Sequence, residues 1–177
     1  MTKKIKNIIL DLDLTLISSI PIDEISPVET ILKHETMKKY FKIFSRPYLQ
    51  YFLDYIFENY SVSVWTAASK DYAMFIIKTF ILDNHPNRHL DYVFFSYHCS
   101  ESEKHTGYSK KIDFLNKICK IRKFKDDTTL IIDDNHEVYN SQPNMCYLIK
   151  QFDCLNVECV HDKELIYLID VLKQKNK

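Results

Sequence analysis

Two short Ile-rich runs, each halted by acids, set the frame for this chain. Lys6-Asn-Ile-Ile-Leu-Asp-Leu-Asp13 and Asp127-Thr-Thr-Leu-Ile-Ile-Asp133 are too short for stable helices and rich in β-branched residues. Apolar runs of this kind read as strands covered on both faces, the environment of a parallel sheet. Between them the pattern alternates. Ser61-Val-Ser-Val-Trp-Thr66 and residues 90–96 read as further strands, and residues 145–149 as a last one. Helical spacing of apolar residues predicts helices near 47–59, 70–82, 111–121 and 136–141, and a final one around Leu165, Leu168, Ile169 and Leu172. Pro47 suits a first helical turn and Ser69 a helix cap. Residues 18–36, broken by Ser18-Ser19, Pro21 and Pro27, read as a connection, residues 37–45 as a strand or hairpin arm, and the stretch before Gly107 as a polar segment.

Strands alternating with helices predict an α/β fold, a Rossmann-like parallel sheet with helices on both faces. In such sheets the ligand site lies beyond the carboxyl ends of the strands. Asp11, Asp13, Thr66, Asp133 and Asp134 all fall at or just past expected strand ends. A length of 177 residues suits one domain.

Composition narrows the function classes. Lys plus Arg equals Asp plus Glu at 24 each, so no whole-chain basic field for nucleic acid is indicated. The local run Lys117, Lys120, Arg122, Lys123 and Lys125 reads as a solvated surface. Five cysteines without a Cys-x-x-Cys pair fit reduced thiols of the nucleus or cytoplasm better than a disulfide framework or a zinc site. Met1-Thr-Lys-Lys-Ile-Lys lacks the apolar core of a signal peptide, and no apolar run is long enough to cross a membrane. Frequent Ile and Asn, with only three Arg, match an AT-rich genome of the kind found in some large DNA viruses and protists.

Four elements carry the chemistry. In Asp11-Leu-Asp13-Leu-Thr15 two acids are separated by one residue, so in strand geometry their side chains share a face. One carboxylate is then able to attack phosphorus while the other protonates the leaving oxygen and later activates water. The plain alternative is a polar strand terminus with Thr15 capping a turn. Thr66 follows an apolar strand, where its hydroxyl is suited to donate to a phosphate oxygen or to bond the backbone. Lys110 offers an ammonium for an anionic transition state, with Lys111 as a neighbouring competitor among 21 lysines. Asp133-Asp134 supplies hard oxygen ligands of the kind magnesium prefers, or a helix N-cap together with Asn135.

The order of these elements resembles the haloacid dehalogenase superfamily of phosphotransferases. Within it the chain is most similar to the FCP/SCP-like phosphatases that act on the C-terminal repeat tail of RNA polymerase II. The residues behind the likeness are Ile9-Leu-Asp-Leu-Asp-Leu-Thr-Leu16, Phe44-Ser-Arg-Pro47 before Phe52-Leu53, Val64-Trp-Thr-Ala-Ala-Ser69 before Tyr72-Ala73, Tyr108-Ser-Lys110, and Leu130-Ile-Ile-Asp-Asp134. The resemblance implies Asp11 as nucleophile and magnesium ligand. It implies Asp13 as general acid and base with its carbonyl also on the metal, and Thr66 and Lys110 on the phosphate. Asp134 would complete the metal ligands, with Asp133 and Thr15 in support and Arg46 in a positioning role. Leu14 and Lys111 depart from the family, which often has a small or acidic residue and an Asp there. The likeness also implies a small cap-like insert, expected near 84–107, and a phosphoserine or phosphothreonine protein substrate. Three other readings stand beside this one: a phosphopeptide-binding or scaffold module, a phosphatase for small molecules or nucleic-acid ends, and a receiver-like domain. The Asp-x-Asp-x-Thr order argues against the last.

Overall fold

A computed structural model describes residues 4–83 and 85–176. Five strands form a parallel sheet: β1 (Asn7–Leu10), β5 (Ser61–Trp65), β6 (Leu90–Phe94), β7 (Thr129–Asp133) and β8 (Cys146–Leu148), in the order β6-β5-β1-β7-β8. The Ile-rich runs take interior places in it because strands there are covered on both faces. Their alternation sorts the two cores. Ile8, Leu10, Val62, Val64, Leu130 and Ile132 face one side, against α1 (Leu49–Asn59), α2 (Lys70–Ile76) and α6 (Glu164–Lys175). Ile9, Trp65 and Ile131 face the other, against α3 (Ser96–Thr106), α4 (Ile112–Lys117) and α5 (His136–Ser141). Each fully buried Ile or Leu contributes about 1.5–3 kcal/mol. The expected sheet with helices on both faces is therefore present.

Two expectations are corrected, and a stretch read only as polar takes a definite structure. Residues 18–36 are not merely a connection. They hold β2 (Ile17–Pro21) and the start of β3 (His34–Met37), which flank β4 (Phe41–Ser45) in a small antiparallel sheet, β2-β4-β3. Ser18 and Ser19 obscured β2 in the sequence, yet Ser18 is buried there by bonding Cys154. The polar stretch before Gly107 is helix α3, ended by Gly107 at φ 79°, a left-handed position that suits glycine. The expected insert near 84–107 does not stand apart, because β6 and α3 belong to the main sheet and its cover. Its first residue, Asn84, lies outside the described residues, as do Met1, Thr2 and Lys3 of the leader reading.

With a single glycine, the chain must use other residues wherever a positive φ is needed. Leu14, Lys38, Tyr48 and Lys120 all adopt it, at φ 58°, 53°, 64° and 60°. No helix among the described residues is long and apolar enough to cross a membrane, and all five cysteines are free thiols.

Candidate active site

The central register builds the site. β1 pairs β7 with Ile9 opposite Ile131 and Leu10 opposite Ile132, and the Asp11 amide continues the ladder by donating to the Ile132 carbonyl at 3.0 Å. Asp11 and Asp133 therefore follow Ile9 and Ile131 on the same face by the two-residue period. That face is covered by α3 and α4, and Lys110 lies in the loop between those helices. Its ammonium donates to Asp11 Oδ1 at 2.6 Å and to Asp133 Oδ2 at 2.7 Å. All three side chains are buried. Asp133 Oδ1 also accepts the Asn135 amide at 2.9 Å, just before α5.

Asp134 turns elsewhere. Its Oδ1 accepts from the Thr15 hydroxyl at 3.3 Å and its Oδ2 from the Gln151 amide at 2.8 Å. One oxygen from each of Asp11, Asp133 and Asp134 lies within 4.8 Å of the others. Asp13 leans away towards α2, where the Tyr72 hydroxyl donates to its Oδ1 at 2.7 Å. Thr66 Oγ1 accepts the Ala68 amide at 3.1 Å, which leaves the hydroxyl hydrogen for an incoming oxygen. Asp11, Asp13, Thr66, Lys110, Asp133 and Asp134 all line one cavity of about 470 Å³ at the carboxyl ends of the strands. Thr15 does not line it and reaches it through Asp134.

A family model described as NLI interacting factor-like phosphatase matches residues 6–177. The chain belongs to that family. It is therefore a phosphatase of the FCP and haloacid dehalogenase type. It is 42% identical over 178 residues to the CTD phosphatase-like protein 355R of Invertebrate iridescent virus 6, covering 96% of this chain and 98% of the relative. It is 36% identical over 177 residues to the protein of the same description in Invertebrate iridescent virus 3, covering 92% of each. Its fold matches the solved structure of Fcp1, an essential RNA polymerase II CTD phosphatase, with a TM-score of 0.62 at 19% identity. It also matches fission yeast Fcp1-R271A bound to beryllium fluoride, with a TM-score of 0.60 at 18% identity. In both cases the match covers 97% of this chain and 62% of the Fcp1 chain, so the chain spans under two thirds of the Fcp1 length.

The electrostatics of the pocket are lopsided. Four carboxylates, Asp11, Asp13, Asp133 and Asp134, face one ammonium, Lys110. Burial raises Asp11 above the ordinary carboxylate range against the pull of Lys110, and Asp133 adds to the rise. Burial raises Asp133 and Asp13 as well, opposed in Asp13 by the Tyr72 hydrogen bond. For Lys110 burial acts to lower the pKa, but Asp11 and Asp133 more than reverse it, so the amine stays charged. The Asp11, Asp133 and Asp134 oxygens are hard donors close enough to share one ion, which fits magnesium. A cation held there would offset the repulsion between these acids and a phosphate.

Two contributors, Tyr72 and Gln151, were not assigned a site role from the sequence, and a third, Arg46, was expected only to position. Tyr72 appears in the family likeness, but its bond to Asp13 depends on how α2 sits over the β1 turn. Gln151 lies just past β8, where the strand-end rule would have flagged it. Arg46 is 1% exposed and does not line the cavity. Its guanidinium donates to Asp162 through Nε and Nη2 at 3.0 and 2.8 Å, to the Thr15 carbonyl at 2.8 Å and to the Lys150 carbonyl at 2.7 Å. It thereby anchors the turn that carries Asp13. The two departures also have local accounts. Leu14 takes the left-handed conformation in that turn, which explains why a small or acidic residue would suit the position better. Lys111 donates to the Ser141 carbonyl at the end of α5, a place that favours a cation.

Proposed function

We propose that this protein is a magnesium-dependent phosphatase that moves phosphate from a phosphoserine or phosphothreonine of a protein to Asp11 and then to water. The supporting observation is the shared cavity, in which a buried carboxylate meets one ammonium and three further acids. In this reading an oxygen of Asp11 attacks phosphorus. The serine or threonine oxygen leaves with a proton from Asp13, and an acyl phosphate remains on Asp11. Water then attacks that phosphorus and gives its proton to Asp13, which releases inorganic phosphate and restores both acids. Lys110 and the Thr66 hydroxyl hold the phosphoryl oxygens, and Asp133 keeps Lys110 charged and in place. Asp11, Asp134 and the Asp13 carbonyl would hold magnesium, with Asp133 within reach, and the bound ion would offset the charge of the phosphoryl oxygens.

The likeness to the viral CTD phosphatase-like proteins and to Fcp1, an RNA polymerase II CTD phosphatase, supports an extended tail, such as that of RNA polymerase II, as substrate. The viral relatives and the free thiols support a place inside a host cell, in nucleus or cytoplasm. Hydrolysis of p-nitrophenyl phosphate is expected to require magnesium and to vanish in Asp11→Asn. Turnover in that variant equal to the parent would remove the nucleophile. A panel of phosphopeptides, including heptad-repeat peptides phosphorylated at different serines, assigns the substrate. Binding of the peptides without hydrolysis would favour the scaffold reading.

A further inference from the structure

Lys110 reaches its acids from the short loop between α3 and α4. A lysine side chain is flexible, so it occupies one place only if its backbone is fixed. Two buried polar side chains fix it, and neither lines the cavity. Ser102 on α3, 0% exposed, donates to the Tyr108 carbonyl at 2.8 Å and accepts the Lys111 amide at 3.2 Å. Gln142, just past α5 and also buried, donates through Nε2 to the Lys110 carbonyl and accepts the Ile112 amide at 3.1 Å. Its side-chain amide lies along residues 110–112 as a neighbouring strand would, offering one donor and one acceptor.

Burying a hydroxyl and an amide is unfavourable unless both are bonded. Here both are bonded to backbone groups of residues 108–112, around a single functional side chain. An apolar residue at 142 would strand two of those backbone groups, and one at 102 would strand the Lys111 amide and leave the Tyr108 carbonyl with the Thr106 hydroxyl alone, at 3.2 Å. General packing does not require that concentration, since α3 already buries Cys99 and α5 buries Val138 against the sheet.

We infer that Ser102 and Gln142 are positioning residues that set the Lys110 ammonium between Asp11 and Asp133, a role that deepens the phosphatase reading and rests on it for its kinetic consequence. Displacing a group at a reaction centre by ~1 Å costs on the order of 100-fold in rate. Gln142→Met keeps the volume but neither bond. It is expected to lower kcat for p-nitrophenyl phosphate by about 10- to 100-fold, while KM moves by less than about threefold because other groups still bind the phosphate. An unchanged kcat overturns the proposal.

A second arm needs no catalysis. Gln142→Met and Lys110→Met are made singly and together, and urea unfolding is measured for all four proteins. If Gln142 acts through Lys110, its substitution perturbs the unfolding constant at least about fivefold less once the ammonium is gone. Factors that simply multiply would overturn the proposal. If Gln142→Met does not fold, Ser102→Ala, which removes a single oxygen, carries the same cycle. Coupling between the positions in a chain that hydrolyses nothing would refute the phosphatase reading and leave this placement standing.

Discussion

Replacing Arg46 with Met tests whether the turn carrying Asp13 is held from behind. Arg46 ties three distant segments together: the Thr15 carbonyl, the Lys150 carbonyl and the Asp162 carboxylate. It also lies over the Phe152 ring at 5.7 Å. Removing one partner of a buried ion pair costs about 3–5 kcal/mol, because the other charge is left behind. The two carbonyls lose a charged donor, and each costs about 1–3 kcal/mol where water cannot replace it. These contributions overlap, and the Met stem recovers part of the packing on Phe152. We therefore expect a loss of about 4–6 kcal/mol, a large share of the 5–15 kcal/mol typical of a domain. Urea unfolding followed through Trp65 measures it, since this single tryptophan is 0% exposed and packs against Phe94 and Phe114. Asp162→Asn, which leaves both carbonyl bonds in place, should cost clearly less. A loss below about 1 kcal/mol in Arg46→Met would refute the argument, because it would mean that water or a local shift satisfies all three segments.

Two further outcomes follow from the same geometry. Leu14→Asn should stabilise the protein by about 0.5–1 kcal/mol, because Asn tolerates the left-handed conformation that Leu14 holds at φ 58°; a lower melting temperature would count against strain in this turn. In the presence of a chelator, stability should fall as pH rises from about 5 to 7.5, since Asp11, Asp13 and Asp133 all have raised folded-state pKa values. The sign follows because, above the ordinary carboxylate value and below their raised ones, these three acids bind more protons in the folded chain than in the unfolded one, against the single opposing contribution of His98, which burial lowers. Lys110, also raised, keeps its proton across this window and does not alter the sign. A stability that rises with pH in scanning calorimetry would contradict the burial of these acids.

The parts legible in the sequence are those whose signal is local. β1 and β7 announce themselves as apolar runs closed by acids, and α5 falls on the expected 136–141 because Asn135 caps it, accepting the Glu137 amide at 2.8 Å. α3 was opaque because only Cys99 and Ser102 on it are buried, so no apolar face marks its period. Its one local cue is His98, whose Nδ1 accepts the Phe95 amide at 3.1 Å. α4 ends at Lys117, short of the expected 121, as Lys120 turns the chain at φ 60°. β2 and β3 are defined by β4 across the small sheet rather than by their own residues. Ser102, Gln142 and Tyr72 share that difficulty, because each acts on a group far along the chain or on bare backbone.

The acids Asp11 and Asp133 are legible for a deeper reason, which is that core packing and the candidate site share one determinant. The pairing that buries Ile9 beside Ile131 also brings Asp11 beside Asp133. A slip of one residue in β7 would turn Leu130 and Ile132 from their core to the other face. The same slip would carry Asp133 off the face from which Lys110 approaches. It would leave a buried ammonium with one acid and a buried acid with none, a combination that costs several kcal/mol. The apolar run and the acid that ends it therefore demand the same register, so the core cannot relax into an alternative pairing that keeps its packing and loses the site.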